Sequence, residues 1–183
     1  AASKPGEKSI VCILGTGSNC TYFDGKNIEQ RVDSLGYVLM DEASGNFFGK
    51  QLIRSYYFNE MPSDLAREFE QEYDLSPDTI KENIYRRENP NTYLASFSRF
   101  LIKNKDNKPF QKIIKNGLKR FIKHQILQFE NAHEIPIHFI GSIAFFLEKE
   151  IKDALKIDNL KMGRIVQRPI DELVTYHIRL LET

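Results

Sequence analysis

Cysteine is scarce in this chain. Cys12 and Cys20 are the only two; they form no Cys-x-x-Cys pair, and no zinc-type spacing can be drawn from them. They read as reduced structural thiols of a cytoplasmic protein, Cys12 being a small core residue within an apolar run. Excess charge is lacking too. With 26 Lys and Arg against 25 Asp and Glu, the formal net charge is +1, so bulk electrostatics favour neither nucleic acid nor membrane. No apolar stretch approaches the roughly 18 residues that span a bilayer, and no secretory leader is visible. Internal repeats and low-complexity segments are absent as well. The 183 residues fit one domain, which at this size buries roughly 70% of the surface of its unfolded chain. Neither a disulfide nor a structural metal is needed for stability.

What is present is an ordered succession of short strands and helices. Residues 1–8 read as a lead-in outside the fold. Ser9 to Leu14 is an apolar, partly β-branched run ending at Gly15, the pattern of a buried strand. After the turn Gly15-Thr16-Gly17-Ser18-Asn19, Cys20 to Phe23 reads as a second strand. Asp24-Gly25 is a hairpin signal, and Lys26 to Val32 supplies a third strand. Apolar residues from Phe47 to Tyr57 recur at helical spacing. Pro62 and the Ser76-Pro77 pair start two more helices. Asn89-Pro90-Asn91 breaks the chain before a helix from Thr92 to about Lys103.

The longest helix is expected over about Phe110 to Glu130. Its apolar residues lie on one face, and Lys112, Lys115, Lys119, Arg120 and Lys123 form a solvated opposite face. The end of the chain reads strand (Ile135–Ile140), helix (about 143–155), strand (Leu160–Val166) and helix (Pro169 to about Leu181). Its two strands should be parallel neighbours. Three antiparallel strands, two parallel strands and helices on the faces make an α/β domain in the order of the ribonuclease H-like unit.

Three segments carry candidate chemistry. In Gly15-Thr16-Gly17-Ser18, a tight glycine turn can aim backbone N–H groups at phosphate oxygens, with two hydroxyls beside them. Gly141-Ser142 leaves a strand where open α/β sheets bind ligands, so the nucleoside of a nucleotide is expected there. Asp41-Glu42-Ala43-Ser44-Gly45 precedes a helix. Asp41 could cap that helix or accept hydrogen bonds from sugar hydroxyls. The strands carry hydrophobic residues and no paired acids, which excludes a two-metal nuclease of the same fold group.

Together these segments resemble N-acetylglucosamine kinases of the BadF/BadG/BcrA/BcrD ATPase group, within the actin-like kinase superfamily. Ile13-Leu14-Gly15-Thr16-Gly17-Ser18-Asn19-Cys20 resembles their second phosphate motif. Leu35 to Gly45 resembles their Gly-Asp-Glu-Gly-Ser segment, with Met40 and Ala43 where glycines are usual. Phe139-Ile140-Gly141-Ser142-Ile143-Ala144 resembles their adenosine motif, and Gln167 to His177 their terminal segment.

The resemblance implies an ATP- and magnesium-dependent amino-sugar kinase. Gly15, Thr16, Gly17, Ser18, Gly141 and Ser142 would bind ATP, and Asn19, Gly36, Tyr37 and Asp41 would bind the sugar. This chain would form the second lobe, 9–183, with a helical insertion over about 59–108. The catalytic base and the magnesium carboxylates would sit in a first lobe, so the chain alone is expected to be inactive; a homodimer is allowed. The alternatives are a regulatory or activator ATPase of the same group and a non-catalytic glycan-binding lobe.

Overall fold

Alternation along the first strand sets the core. Ile10, Cys12 and Leu14 are fully buried, whereas Ile13 between them is 47% exposed. Successive side chains of a strand point to opposite faces, so one face of this strand is sealed by the core and the other is partly open. The computed structural model describes residues 3, 6–170 and 174. Its strands are β1 (Ser9–Leu14), β2 (Ser18–Phe23), β3 (Ile28–Glu29), β4 (Pro136–Ile140) and β5 (Lys161–Val166). They form one sheet in the order β3-β2-β1-β4-β5. β1 pairs antiparallel with β2 and parallel with β4, and β4 pairs parallel with β5. This is the α/β arrangement expected from the sequence.

The helices are α1 (Gly45–Tyr57), α2 (Ser63–Glu72), α3 (Pro77–Tyr85), α4 (Pro90–Ser96), α5 (Ser98–Lys103), α6 (Lys108–His124), α7 (Ser142–Phe146) and α8 (Glu148–Ile157). α1 packs on α4, α5 and α6, and α7 lies against β1, β4 and β5. Around Phe69 of α2, the rings of Phe97 and Phe100 stand 5.7 and 4.9 Å away between centroids. Such pairs add about 0.5–1.5 kcal/mol each beyond their burial. The approach of α4 to α1 is closer still: a Cβ on Gly49 would lie 1.8 Å from the Leu94 carbonyl oxygen.

Several boundaries differ from the sequence expectation. β3 covers two residues instead of Lys26–Val32; Ile28 is 72% exposed and gains nothing by extending the ladder. The helix expected from Thr92 to Lys103 is two, split at Phe97, where Ser96 and Ser98 turn their hydroxyls onto the carbonyls of Tyr93 and Ala95. Serine hydroxyls that bond nearby carbonyls disturb the helical ladder. The helix expected over 143–155 breaks at buried Leu147. The one expected to reach Glu130 stops at His124, and a 3₁₀ turn, Ile126–Gln128, follows. The terminal helix expected from Pro169 to Leu181 lies mostly outside the described residues.

Cys12 and Cys20 face each other across β1 and β2, with their sulfurs 3.4 Å apart and both buried. Burial holds the Cys12 thiol well above its usual pKa, and both sulfurs are shut away from solvent as structural thiols are.

At the other parallel junction, the β4–β5 register slips between Ile137 and Phe139. The buried His138 ring fills the gap: its Nδ1 accepts the Arg164 N–H at 2.9 Å. A Cβ on Gly163 would come within 2.4 Å of that nitrogen. Burial lowers the His138 pKa below 6.5; Glu7, 3.4 Å from Nε2, opposes this, and Arg164 adds to the lowering. A histidine whose folded pKa is depressed contributes full stability above its unfolded pKa and loses it as pH falls below about 6.5. Denaturant midpoints should therefore decline from pH 7 toward pH 5.5, and the His138→Asn variant should show a flatter profile. A wild-type midpoint that rises on acidification over this range would contradict the assignment.

Candidate functional site

The turn after β1 is held by backbone bonds to the start of α1. The Gly15 carbonyl accepts the Gly45 N–H at 2.7 Å, and the Thr16 carbonyl accepts the Asn46 N–H at 3.0 Å. No peptide bond in the described residues is cis. In a planar trans peptide the N–H points opposite to the C=O. With both carbonyls turned toward α1, the N–H groups of Thr16 and Gly17 are turned away from it. Among the described residues neither of these N–H groups finds a hydrogen-bond acceptor. They leave the turn with a pair of outward backbone donors. Gly15 N–H and Ser18 N–H do not take part. Gly15 N–H donates to the Gly17 carbonyl at 3.0 Å, and Ser18 N–H donates to Asp41 Oδ1 at 3.3 Å.

The first turn of α1 is likewise spent inside the protein. The N–H groups of Gly45 and Asn46 serve the loop carbonyls, and that of Phe47 donates to the Ser44 hydroxyl, which caps the helix. The cap is therefore Ser44, and Asp41 is left free for another role.

Asp41 is buried against the loop. Beyond Ser18 N–H, its carboxylate accepts Asn46 Nδ2–H at 2.8 Å. A Cβ on Gly17 would stand 2.8 Å from Asp41 Oδ2. Glycine at 17 is thus what lets the acid reach the turn. Asp41 and Ala43 both have positive φ, 67° and 59°. Left-handed backbone of this kind is strained in non-glycine residues and concentrates at functional sites.

Glu42 turns away and pairs with Arg120 of α6 at 2.8 Å. Lys50 donates to the Tyr37 carbonyl. Its own burial lowers the Lys50 pKa, while Glu42 and Asp41 oppose the shift.

The second bend joins the first directly. β1 and β4 are parallel neighbours, so 15–17 and 141–142 leave the same end of the sheet. Gly141 has φ 117°, and a Cβ there would lie 2.4 Å from the Leu14 carbonyl oxygen. That contact, and not room for adenine, is what demands glycine. The Gly141 N–H is also engaged, by the Val166 carbonyl at 2.9 Å. Ser142 is exposed beside it.

Asn19 occupies the strand face opposite Cys20, level with Ile13, and its Oδ1 accepts the Cys20 N–H. Gly36 has positive φ and open space around it; its carbonyl accepts the N–H of Met40, the residue before Asp41, at 2.9 Å. A groove of about 400 Å³ along α3, lined by Asp78, Lys81, Glu82, Arg86 and Arg87 among others, includes none of these residues.

Two solved structures, both named putative N-acetylglucosamine kinases, share this fold. The one from Porphyromonas gingivalis is 37% identical, with a TM-score of 0.88 over 94% of this chain and 60% of its own. The one from Chromobacterium violaceum is 17% identical, with a TM-score of 0.66 over 86% of this chain and 56% of its own. The chain is N-acetylglucosamine kinase-like. It spans less than two thirds of either neighbour's length. No family model matches it, and no curated protein does.

In this kinase-like chain, residues that sequence reasoning did not single out hold the site together. Ser44 was readable as a cap, being a serine just before an apolar helical run. Asn46 and Lys50 gave no signal, since a polar residue in a helix is ordinary. The packing of Gly17 on Asp41 yields a direct test. Gly17→Ala should leave the protein folded, with a stability loss of about 1–2 kcal/mol by overpacking. The Ser18 amide proton, which donates to Asp41 Oδ1, should exchange with solvent at least about tenfold faster, because the carboxylate must retreat from the turn. Unchanged Ser18 exchange in a folded Gly17→Ala protein would refute the arrangement.

Proposed function

We propose that the complete protein transfers the γ-phosphoryl group of ATP to a hydroxyl of an N-acetylglucosamine-type amino sugar. This chain supplies the phosphate cradle and one wall of the sugar site. The observation that carries the reading is at Gly15. Its φ lies outside the left-handed region, and an added Cβ would meet nothing within 4 Å. Glycine there serves no packing need inside the chain. The neighbouring Thr16 and Gly17 N–H groups have no acceptor among the described residues, as a site for phosphate oxygens requires.

Each part of the chain has a defined task in this reading. Thr16 and Gly17 N–H groups, with the Thr16 and Ser18 hydroxyls, hold phosphate oxygens; Ser142, at the adjacent bend beside Gly141, faces the nucleoside. Asp41 accepts hydrogen bonds from sugar hydroxyls, with Asn19 and the Gly36–Tyr37 segment at its flanks. The sugar oxygen bonds to phosphorus, the bond to the ADP oxygen breaks, and the hydroxyl proton passes to a base. Phosphoryl transfer depends mainly on positioning and neutralised charge. Magnesium, held beyond this chain as the resemblance implies, would supply the latter when bound. Among the described residues no group of three or more His, Cys, Asp or Glu side chains is placed to hold a metal ion. The base and the magnesium ligands are assigned to the part of the complete protein beyond this chain. An iron–sulfur activator role is disfavoured, because Cys12 and Cys20 are both enclosed in the sheet.

A coupled ADP-release assay on the complete protein tests the reading. Turnover should require N-acetylglucosamine or a related amino sugar. Gly15→Ala should keep the denaturation midpoint within about 0.5 kcal/mol of wild type or raise it slightly, yet raise KM for ATP at least about tenfold by loss of phosphate contacts. ATP turnover indifferent to every amino sugar would favour the activator-ATPase alternative instead.

A further inference from the structure

Asn46 contacts neither ligand in the reading above, yet its side chain touches both halves of the site. Its side chain is fully buried. Nδ2 donates to the Thr16 carbonyl at 2.8 Å and to Asp41 Oδ2 at 2.8 Å. The Thr16 carbonyl receives the Asn46 backbone N–H as well. Both partners of the amide are acceptors, so the nitrogen end must face them; a flipped amide would set oxygen against two oxygens. Oδ1, by contrast, is buried with no hydrogen-bond donor. A buried acceptor without a donor is unfavourable, but an apolar side chain of similar size would instead take this donor from the buried Asp41 carboxylate. Filling of space alone therefore does not explain this asparagine. What it offers is two hydrogens on one atom, spanning the phosphate loop and the sugar-wall carboxylate.

We propose that Asn46 is a positioning residue that couples nucleotide binding to acceptor binding; the proposal rests on the kinase reading above. A phosphate drawing on the Gly17 N–H polarises the 16–17 peptide and makes the Thr16 carbonyl a stronger acceptor. Hydrogen bonds in series reinforce one another in this way. The strengthened bond fixes the Asn46 amide plane, and the second hydrogen on the same nitrogen then fixes the Asp41 carboxylate. A sugar on Asp41 acts back along the same path, because coupling between two sites is reciprocal. The two ligands thus bind with positive cooperativity, carried by a single nitrogen atom.

Calorimetry on the complete protein tests this, with ADP as the nucleotide and N-acetylglucosamine as the sugar. In the unsubstituted protein, saturating sugar should tighten ADP binding at least about fivefold, the lower end of ordinary coupling. In Asn46→Ala, ADP affinity without sugar should stay within about threefold, while the effect of sugar should fall to about onefold. Circular dichroism checks that the variant is folded. If it is not, Asn46→Ser carries the same test, since one hydroxyl hydrogen cannot bridge two acceptors. Coupling that survives in a folded variant, or two ligands that bind the unsubstituted protein independently, overturns the role of Asn46 and leaves the kinase reading standing. ADP binding with no binding of N-acetylglucosamine or a related amino sugar overturns both.

Discussion

The site depends on two backbone hydrogen bonds, from the Gly45 and Asn46 N–H groups to the carbonyls of Gly15 and Thr16. Helix N-termini commonly bind anions with their own free N–H groups. Here the first turn of α1 is used up on the loop, and the helix acts one peptide further out. Its positive end polarises the 15–16 and 16–17 peptides, whose N–H groups continue the line of dipoles into open space. Each bond is worth only about 0.5–1.5 kcal/mol net. Their effect is directional: without them the two peptides could rotate and present carbonyl oxygens to a phosphate.

The strain at Asp41 and Ala43 belongs to the same construction. Two left-handed residues separated by one cost on the order of 1–2 kcal/mol apiece. The excursion lets the chain turn inward at Asp41, bring its carboxylate against Gly17, and set the buried Ser44 to cap α1. The bonds to Asp41 from Ser18 and Asn46 offset part of the cost. The resemblance drawn from sequence has glycine where this chain has Met40 and Ala43. The structure separates these two departures. Ala43 sits at positive φ, where glycine would be less strained, whereas Met40 does not. Only the second bears on backbone geometry.

Much of this was legible in the residues, and the failures have identifiable causes. β1, the glycine turn and the Asp24-Gly25 hairpin stood out because apolar alternation and glycine report backbone geometry directly. Gly15 to Ser18 and Asp41 were readable as candidates for the same reason. Gly141 was selected for its place after a strand, but its contact with Leu14 depends on strands distant in sequence becoming neighbours. The helix breaks at Phe97 and Leu147 carry neither proline nor glycine; the first goes with the hydroxyl bonds of Ser96 and Ser98, and the second falls at a buried leucine. Asn46 was invisible because nothing local distinguishes a buried polar residue from a solvated one. Burial is decided by the whole fold.

The choice of an amide beside Asp41 follows from what the carboxylate must do. Phosphate charge in the cradle would repel it, and the simplest remedy would be a cation bonded to it. In the proposed kinase reading, such a cation would occupy the lone pairs offered to sugar hydroxyls and would compete for the phosphates. The nearby cations are instead directed elsewhere, Arg120 to Glu42 and Lys50 to the Tyr37 carbonyl. Lys50 still contributes attraction over a longer distance, as its interactions with Asp41 and Glu42 indicate. A neutral donor fixes the carboxylate without cancelling its charge. Asn46 therefore orients Asp41 while leaving it an acceptor, and the lone buried oxygen Oδ1 is the cost of that arrangement.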